Sequence, residues 1–373
     1  MSNKSIYITQ PQLPPLEEFI PLLEQIWDSK ILTNNGPIHQ QLEQALCEYL
    51  GVKHIALFAN GTVALMTALK VLGVKGEILT SPYTFVATTH SIKSSSCTPV
   101  FVDIDPDTLN MDPTKLEAAI NERTAAILPV HCYGTRCEVE AIQGIADQHG
   151  LPVVYDAAHA FAIQDEGGSI LRHGDLSILS FHATKVFNTA EGGAIVCHDA
   201  KMLERINRIK NHGFVDQITV DEIGINGKLN EISAAFGLAL LPHVDNGLTL
   251  RRNIDQAYRL ELQDVLGITY VPLCETTTSN YGYFPILIEN SYPLTRNQLY
   301  QSLCDAEIYV RRYFYPLTSE CPIYADLPSS TSVNLPVATR VSRQIICLPI
   351  FSEMTDDQFS KVITVIKENG LER

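Results

Sequence analysis

The sequence predicts an α/β protein: a large domain built around a mostly parallel central sheet, followed by a smaller C-terminal α/β domain. Two observations carry this expectation. Continuous apolar runs alternate with helix-length segments, the pattern of parallel strands covered on both faces. The chain has 373 residues, 45% of them hydrophobic, which exceeds one ordinary core and suffices for one large domain and a smaller one.

In chain order, "LEEFIPLLEQIW" spaces Leu16, Phe19, Ile20, Leu23 and Trp27 three and four residues apart, which predicts an amphipathic helix. Strands are expected at residues 54–58, 77–80, 98–103, 124–130, 152–155, 176–181 and 193–198. Helical stretches such as 63–72 and 138–149 lie between them. From about Gly247 the texture changes to a charged helix, "TLRRNIDQAYRLELQDVL", and then to prolines and tyrosines. The domains are therefore drawn as residues 1–246 and 247–373.

Composition removes several classes of function. Charged residues make up 18% of the chain and the formal net charge is −15, which argues against nucleic acid or an anionic membrane as partner. Any anion must be held locally. The N-terminus, "MSNKSIYITQPQLPP", has neither a signal-peptide core nor an arginine-rich amphipathic helix. No apolar run approaches the ~20 residues that span a bilayer, so a soluble cytoplasmic protein is expected. Nine cysteines are scattered, and the closest pair, Cys132 and Cys137, has no second pair or histidines at zinc spacing. They read as reduced core residues, and no metal site is expected.

Three polar features sit where apolar runs end, the place where open parallel sheets bind ligands. The run 54–58 leads into "ANGTVALMTALKVLG", with Asn60 as N-cap and Gly61 allowing a sharp turn. The free amides of Gly61 and Thr62 would form an anion site at a helix N-terminus. An ordinary capped helix fits the same segment. In "LPVVYDAAHA" the strand ends on Asp156, a carboxylate that is costly in mid-sheet unless something positive pairs with it. A helix cap is the alternative there. In "SFHATKVFNTAEGGA", residues 180–194, Lys185 is the only charge before Glu191. Sparsely charged surroundings lower a lysine pKa by desolvation and keep its amine nucleophilic. An anion turn, an acid and an uncharged lysine are together what pyridoxal phosphate needs: phosphate ligands, a partner for the ring nitrogen, and an amine that bonds the aldehyde carbon.

The blocks "TNNGPIHQQLEQALCEYLGVKHIALFANGTVAL", "TSPYTFVAT", "PVHCYG", "VVYDAAHAF", "SFHATKVFNTAEGGAIV" and "GINGKLNEISAAFG" resemble the DegT/DnrJ/EryC1/StrS sugar aminotransferases. The resemblance runs over about residues 28–240, with a weaker continuation in "YVRRYFYPL" and "CLPIFSEMTDDQ". It implies the fold-type-I architecture of aspartate aminotransferase, pyridoxal 5'-phosphate as cofactor, and a homodimer with shared active sites. By position it implies Lys185 as the cofactor-bonding lysine and Asp156 as partner of the ring nitrogen. Ser180, Gly61 and Thr62 become phosphate ligands, Phe85 the aromatic stacked on the ring, and Asn226 an asparagine reaching the other subunit's phosphate. His159 stands where the family often has glutamine.

The implied substrates are an amino donor, glutamate in most of the family, and a keto-sugar on a nucleoside diphosphate. Lys228, Arg311 and Arg312 are candidate cations for the diphosphate, although the arginines also fit a solvated surface. If residues 310–314 form a strand, Arg311 and Tyr313 share one face and Arg312 takes the other. Ser180 and His182 likewise share a face. Histidine at 182 resembles family members that aminate carbon 4, so the expected substrate is dTDP-4-keto-6-deoxyglucose, with the 3-keto isomer second. A non-catalytic cofactor-binding relative is the other class; a dehydratase would carry histidine at position 185.

Overall fold

The computed structural model describes residues 5–370. Seven strands form the central sheet: β1 His54–Phe58, β2 Glu77–Thr80, β3 Thr98–Phe101, β4 Thr124–Leu128, β5 Val154–Asp156, β6 Leu176–Ser180 and β7 Gly193–Cys197. Their spatial order is 3-2-4-5-6-7-1; isolated parallel bridges, Ile127 to Val153 and Val130 to Asp156, join β4 to β5. Only β7 runs antiparallel to its neighbours. All seven expected strands form, the later ones one or two residues shorter than their apolar runs. The reason is visible at β3 and β4, where the buried residues Val102 and Val130 lie beyond the last ladder pair.

Helices cover both faces. On one side, Leu42, Leu46, Phe161, Phe187 and Leu240 belong to a single apolar cluster; on the other, Phe58, Leu65, Leu69, Ile178 and Ile206 form a second. The N-terminal helix Leu16–Ser29 exists, but its buried line is Phe19, Leu22, Leu23 and Ile26. Leu16, Ile20 and Trp27, expected on that face, are exposed. The helix rests on Glu231–Leu240 through a Phe19–Phe236 ring contact at 5.7 Å, and that support selects which apolar residues are covered.

The C-terminal region has its own three-stranded antiparallel sheet, β8 Ile268–Tyr270, β9 Phe284–Ile288 and β10 Ile345–Leu348. Its core gathers Tyr258, Phe284, Leu299, Ile346 and Val362 together with Ile6. Ile6–Tyr7 pairs in parallel with Ile308–Tyr309, so the N-terminal end contributes to this second core. Helix Val244–Leu262 spans the expected division at 246/247.

The expected strand 310–314 does not form. Arg311 makes one isolated bridge to Cys347, and the chain turns directly afterwards, with the Tyr315 amide donating to the Arg312 carbonyl. No helix among the described residues is long and apolar enough to cross a membrane.

Candidate active site

The carboxyl ends of the parallel strands and the residues just beyond them surround a cavity of about 770 Å³. Helix Gly61–Val71 starts immediately after β1. Asn60 caps it by accepting from the Val63 amide at 2.9 Å, which leaves the Gly61 and Thr62 amides uncommitted to the cap. Only glycine fits beside it: a Cβ on Gly193 would lie 2.6 Å from the Gly61 nitrogen, and one on Gly61 would lie 3.2 Å from the Ser180 Cβ. The turn is thereby pressed against the ends of β6 and β7, with Gly61, Thr62 and Ser180 on the same cavity wall.

Asp156 ends β5 and is 5% exposed. No helix follows it, which removes the helix-cap alternative. Its carboxylate accepts from Thr88 Oγ1 at 2.7 Å and from the Ala158 amide at 3.1 Å. Neither donor is a cation. Burial raises its pKa, against the opposing pull of Thr88, Ala158 and Lys185. Thr84, just before helix Val86–Ser94, and Thr88 in its first turn bond each other at 2.8 Å, so Asp156 is held by a short hydroxyl relay.

Lys185 reaches the same cavity from the loop after β6. Burial pulls its amine down to about 8, and Asp156 and Tyr313 resist that shift. Its hydrogen-bond partner is the Tyr283 hydroxyl at 3.0 Å, just before β9 of the C-terminal sheet. His159 accepts from the Tyr133 amide through Nδ1 at 3.1 Å. Burial, and then the Lys185 charge, hold its pKa well below the usual imidazole range. A neutral ring whose Nδ1 is an acceptor carries its proton on Nε2, so His159 offers a donor there.

Phe85, His182, Arg311 and Tyr313 complete the expected lining. Phe85 is 59% exposed, an unusual state for a phenylalanine beside a cavity. Phe181 is buried in the opposite layer while His182 opens to the cavity, bonded to Thr184 Oγ1 at 2.9 Å. Arg312 turns away and stacks on Tyr300 and Tyr315, its guanidinium carbon 4.4 and 5.2 Å from the ring centres. The split between Arg311 and Arg312 thus arises without the strand expected to cause it.

Two further expected residues are not in this cavity. The Lys228 amine donates to Asn226 Oδ1 at 2.8 Å and to Asn211 Oδ1 at 3.0 Å; neither Asn226 nor Lys228 lines the cavity, although Gly227 between them accepts from the Ala59 amide of its wall at 2.8 Å. Sequence reasoning missed Thr88 and Tyr283. Thr88 had a signal, since "YTFVAT" sets two hydroxyls, Thr84 and Thr88, four residues apart. Tyr283 had none: it is 98 positions from Lys185 and meets it only through tertiary packing.

A buried carboxylate without a cationic partner, an enclosed amine of lowered pKa and a glycine turn bearing free amides are the parts a pyridoxal-phosphate transaminase requires. The chain matches the DegT/DnrJ/EryC1/StrS aminotransferase family over residues 16–367 and belongs to it. It is 52% identical over 366 residues to a dTDP-4-amino-4,6-dideoxy-D-glucose transaminase of Shigella dysenteriae, covering 98% of this chain and 99% of that one. It is 49% identical to an Escherichia coli transaminase of the same name, with the same coverage. Among solved structures, DesI in the presence of its TDP-sugar product superposes with a TM-score of 0.93 at 31% identity, covering 98% of this chain and 93% of that one.

Pyridoxal phosphate, the cofactor of this enzyme family, fits the residues present. Asp156 would meet the ring nitrogen, and Lys185 the aldehyde carbon. Ser180 with the Gly61 and Thr62 amides would meet the phosphate, and Phe85 or His159 the ring.

Proposed function

We propose that this aminotransferase moves the amino group of glutamate onto dTDP-4-keto-6-deoxy-D-glucose, giving dTDP-4-amino-4,6-dideoxy-D-glucose. The observation that carries the reading is the near-full-length similarity to two transaminases named for that sugar. His182 supports it by opening to the cavity beside Ser180, where it can meet the sugar.

When bound, pyridoxal phosphate supplies the electron sink and carries the amine between the two substrates. The chain's residues supply the rest. Asp156, fixed by Thr88 and the Ala158 amide, keeps a proton on the pyridine nitrogen. Lys185, with an amine near 8, takes the proton from the donor α-carbon and returns it on the far side of the transfer. Arg311 provides a positive charge within an acidic protein for a substrate diphosphate.

The working unit in this reading is a homodimer with shared sites. Support comes from Asn226 and Lys228, which lie outside their own chain's cavity, and from exposed apolar residues on the neighbouring segment, Phe214, Ile218 and Ile223. A two-fold axis would bring such a segment to the other chain. Mixing Lys185→Ala and Asn226→Asp chains should restore activity by rebuilding one intact site per hybrid; a fully active monomer on a sizing column excludes the shared site. The substrate is tested by incubating the protein with glutamate and the 4-keto sugar, its 3-keto isomer or a uridine-linked analogue. NMR should locate the new nitrogen at carbon 4 in the gluco configuration; amination at carbon 3 overturns the reading.

A further inference from the structure

Among the described residues the Lys185 amine makes one hydrogen bond, and its partner comes from the C-terminal region. Tyr283 immediately precedes β9 of the C-terminal sheet, and its hydroxyl lies 3.0 Å from Lys185 Nζ. The ring is fixed on several sides: its centre is 4.5 Å from that of His159, 5.6 Å from Tyr133 and 6.1 Å from Tyr313. A phenol locked in this way presents its oxygen at one place. Burial raises the Tyr283 pKa far beyond its ordinary value, so the group stays a neutral hydroxyl at any working pH. A neutral hydroxyl can accept from an ammonium and donate to the lone pair of an amine.

We propose that Tyr283 is a positioning residue of this site, its hydroxyl holding the Lys185 amine in both protonation states whenever that amine is free of the cofactor. The inference rests on Lys185 being the cofactor-bonding lysine. The free amine has to swing between the cofactor carbon and the proton it carries, and an unrestrained four-carbon stem would waste much of that reach on rotamers. Tyr283 narrows the search to one location. The other titratable or charged groups lining the cavity are Asp156, His159, Tyr313, His182, Glu191 and Arg311. None of them makes a hydrogen bond to Nζ. The bond to an ammonium is the stronger of the two that Tyr283 can make, so losing it disfavours the charged amine more than the neutral one.

Tyr283→Phe removes the hydroxyl and keeps the ring that packs on His159. The full-length chain, stripped of cofactor, is mixed with pyridoxal phosphate over a pH series and the absorbance of the lysine-bound cofactor is followed. Capture requires the neutral amine, and the pH of half-maximal capture rate should fall by about one unit in the variant. In the loaded enzyme kcat should fall roughly tenfold with KM for both substrates little changed. A midpoint within about 0.3 of a pH unit of the unaltered chain, or one that rises, overturns the proposal. Lys185→Ala separates the two readings. If its absorbance band persists, the lysine assignment fails and the proposal with it; if the band is lost and the Tyr283→Phe midpoint stays put, only the proposal fails.

Discussion

Lys185 and Lys210 are both desolvated lysines, and burial lowers the pKa of each. Their surroundings differ in kind. Lys210 ends helix Ala200–Lys210 and is 5% exposed, with its amine 3.7 Å from Glu43 Oε1 and 5.5 Å from the Phe58 ring centre. Glu43 is itself tied to His39 Nε2 at 3.1 Å and to the Leu57 amide at 3.2 Å. That charge is answered within the protein. Lys185 has a neutral hydroxyl at 3.0 Å and a cavity in front of it; Asp156 offsets part of its burial without forming an ion pair. Depressed lysine pKa values therefore do not mark a functional site by themselves; the missing ion pair and the open space do.

The sharpest way to break the comparison is to remove each amine and follow cofactor and turnover. Lys185→Ala should abolish the absorbance of lysine-bound cofactor and lower kcat by at least about 10⁴-fold. The corresponding change at Lys210 should leave the absorbance unaltered. Asp156→Asn should cost about 10²–10³-fold in kcat, because the amide cannot hold the proton on the ring nitrogen by charge. A near-normal Asp156→Asn enzyme would reduce Asp156 to a structural residue. Thr88→Val deletes one of the two donors to that carboxylate and should cost about tenfold, with KM for the sugar unchanged in steady-state assays.

The two lysines also show what a sequence discloses. Lys185 stood out because it interrupts a run with no other charge, and Asp156 because it ends a β-branched strand; both are local anomalies. The strands were legible for the same reason, since a fully covered parallel strand writes its burial into consecutive residues. Tyr283 and the buried face of helix Leu16–Ser29 were not legible. Tyr283 acquires its partner from a distant part of the chain, and the helix carries more apolar residues than helix Glu231–Leu240 can cover. Lys210 lies in "NRIKNHG", among other polar residues, and nothing nearby announces that Glu43 will meet it.

Lys210→Met should destabilise the protein by about 3 kcal/mol, because the Glu43 carboxylate loses its lysine while staying largely buried. Urea denaturation monitored by circular dichroism would measure it; unchanged stability would place the pair effectively in solvent.

The smallest effect has the opposite sign. In the cofactor-free chain, Lys185 titrates near 8 in the folded state against an ordinary value of 10.5. Below pH 8 both folded and unfolded chains carry the proton, and folding bears the full cost of enclosing an ammonium. Between about 8 and 10.5 the unfolded chain binds more protons than the folded one, so stability rises with pH. Above 10.5 both are neutral and the cost is gone. Lys185→Met, of similar length and uncharged, should therefore make the cofactor-free protein more stable at pH 7, by on the order of 1–3 kcal/mol. Denaturation of both proteins at pH 7, 9 and 10.5 should show the gap closing across that window. Lys210→Met loses stability at pH 7 where Lys185→Met gains it, because Lys210 is ion-paired with Glu43 while Asp156, which makes no ion pair with Lys185, offsets only part of the cost of burying its amine. A Lys185→Met protein less stable than its parent at pH 7 would show that the cavity solvates its lysine after all.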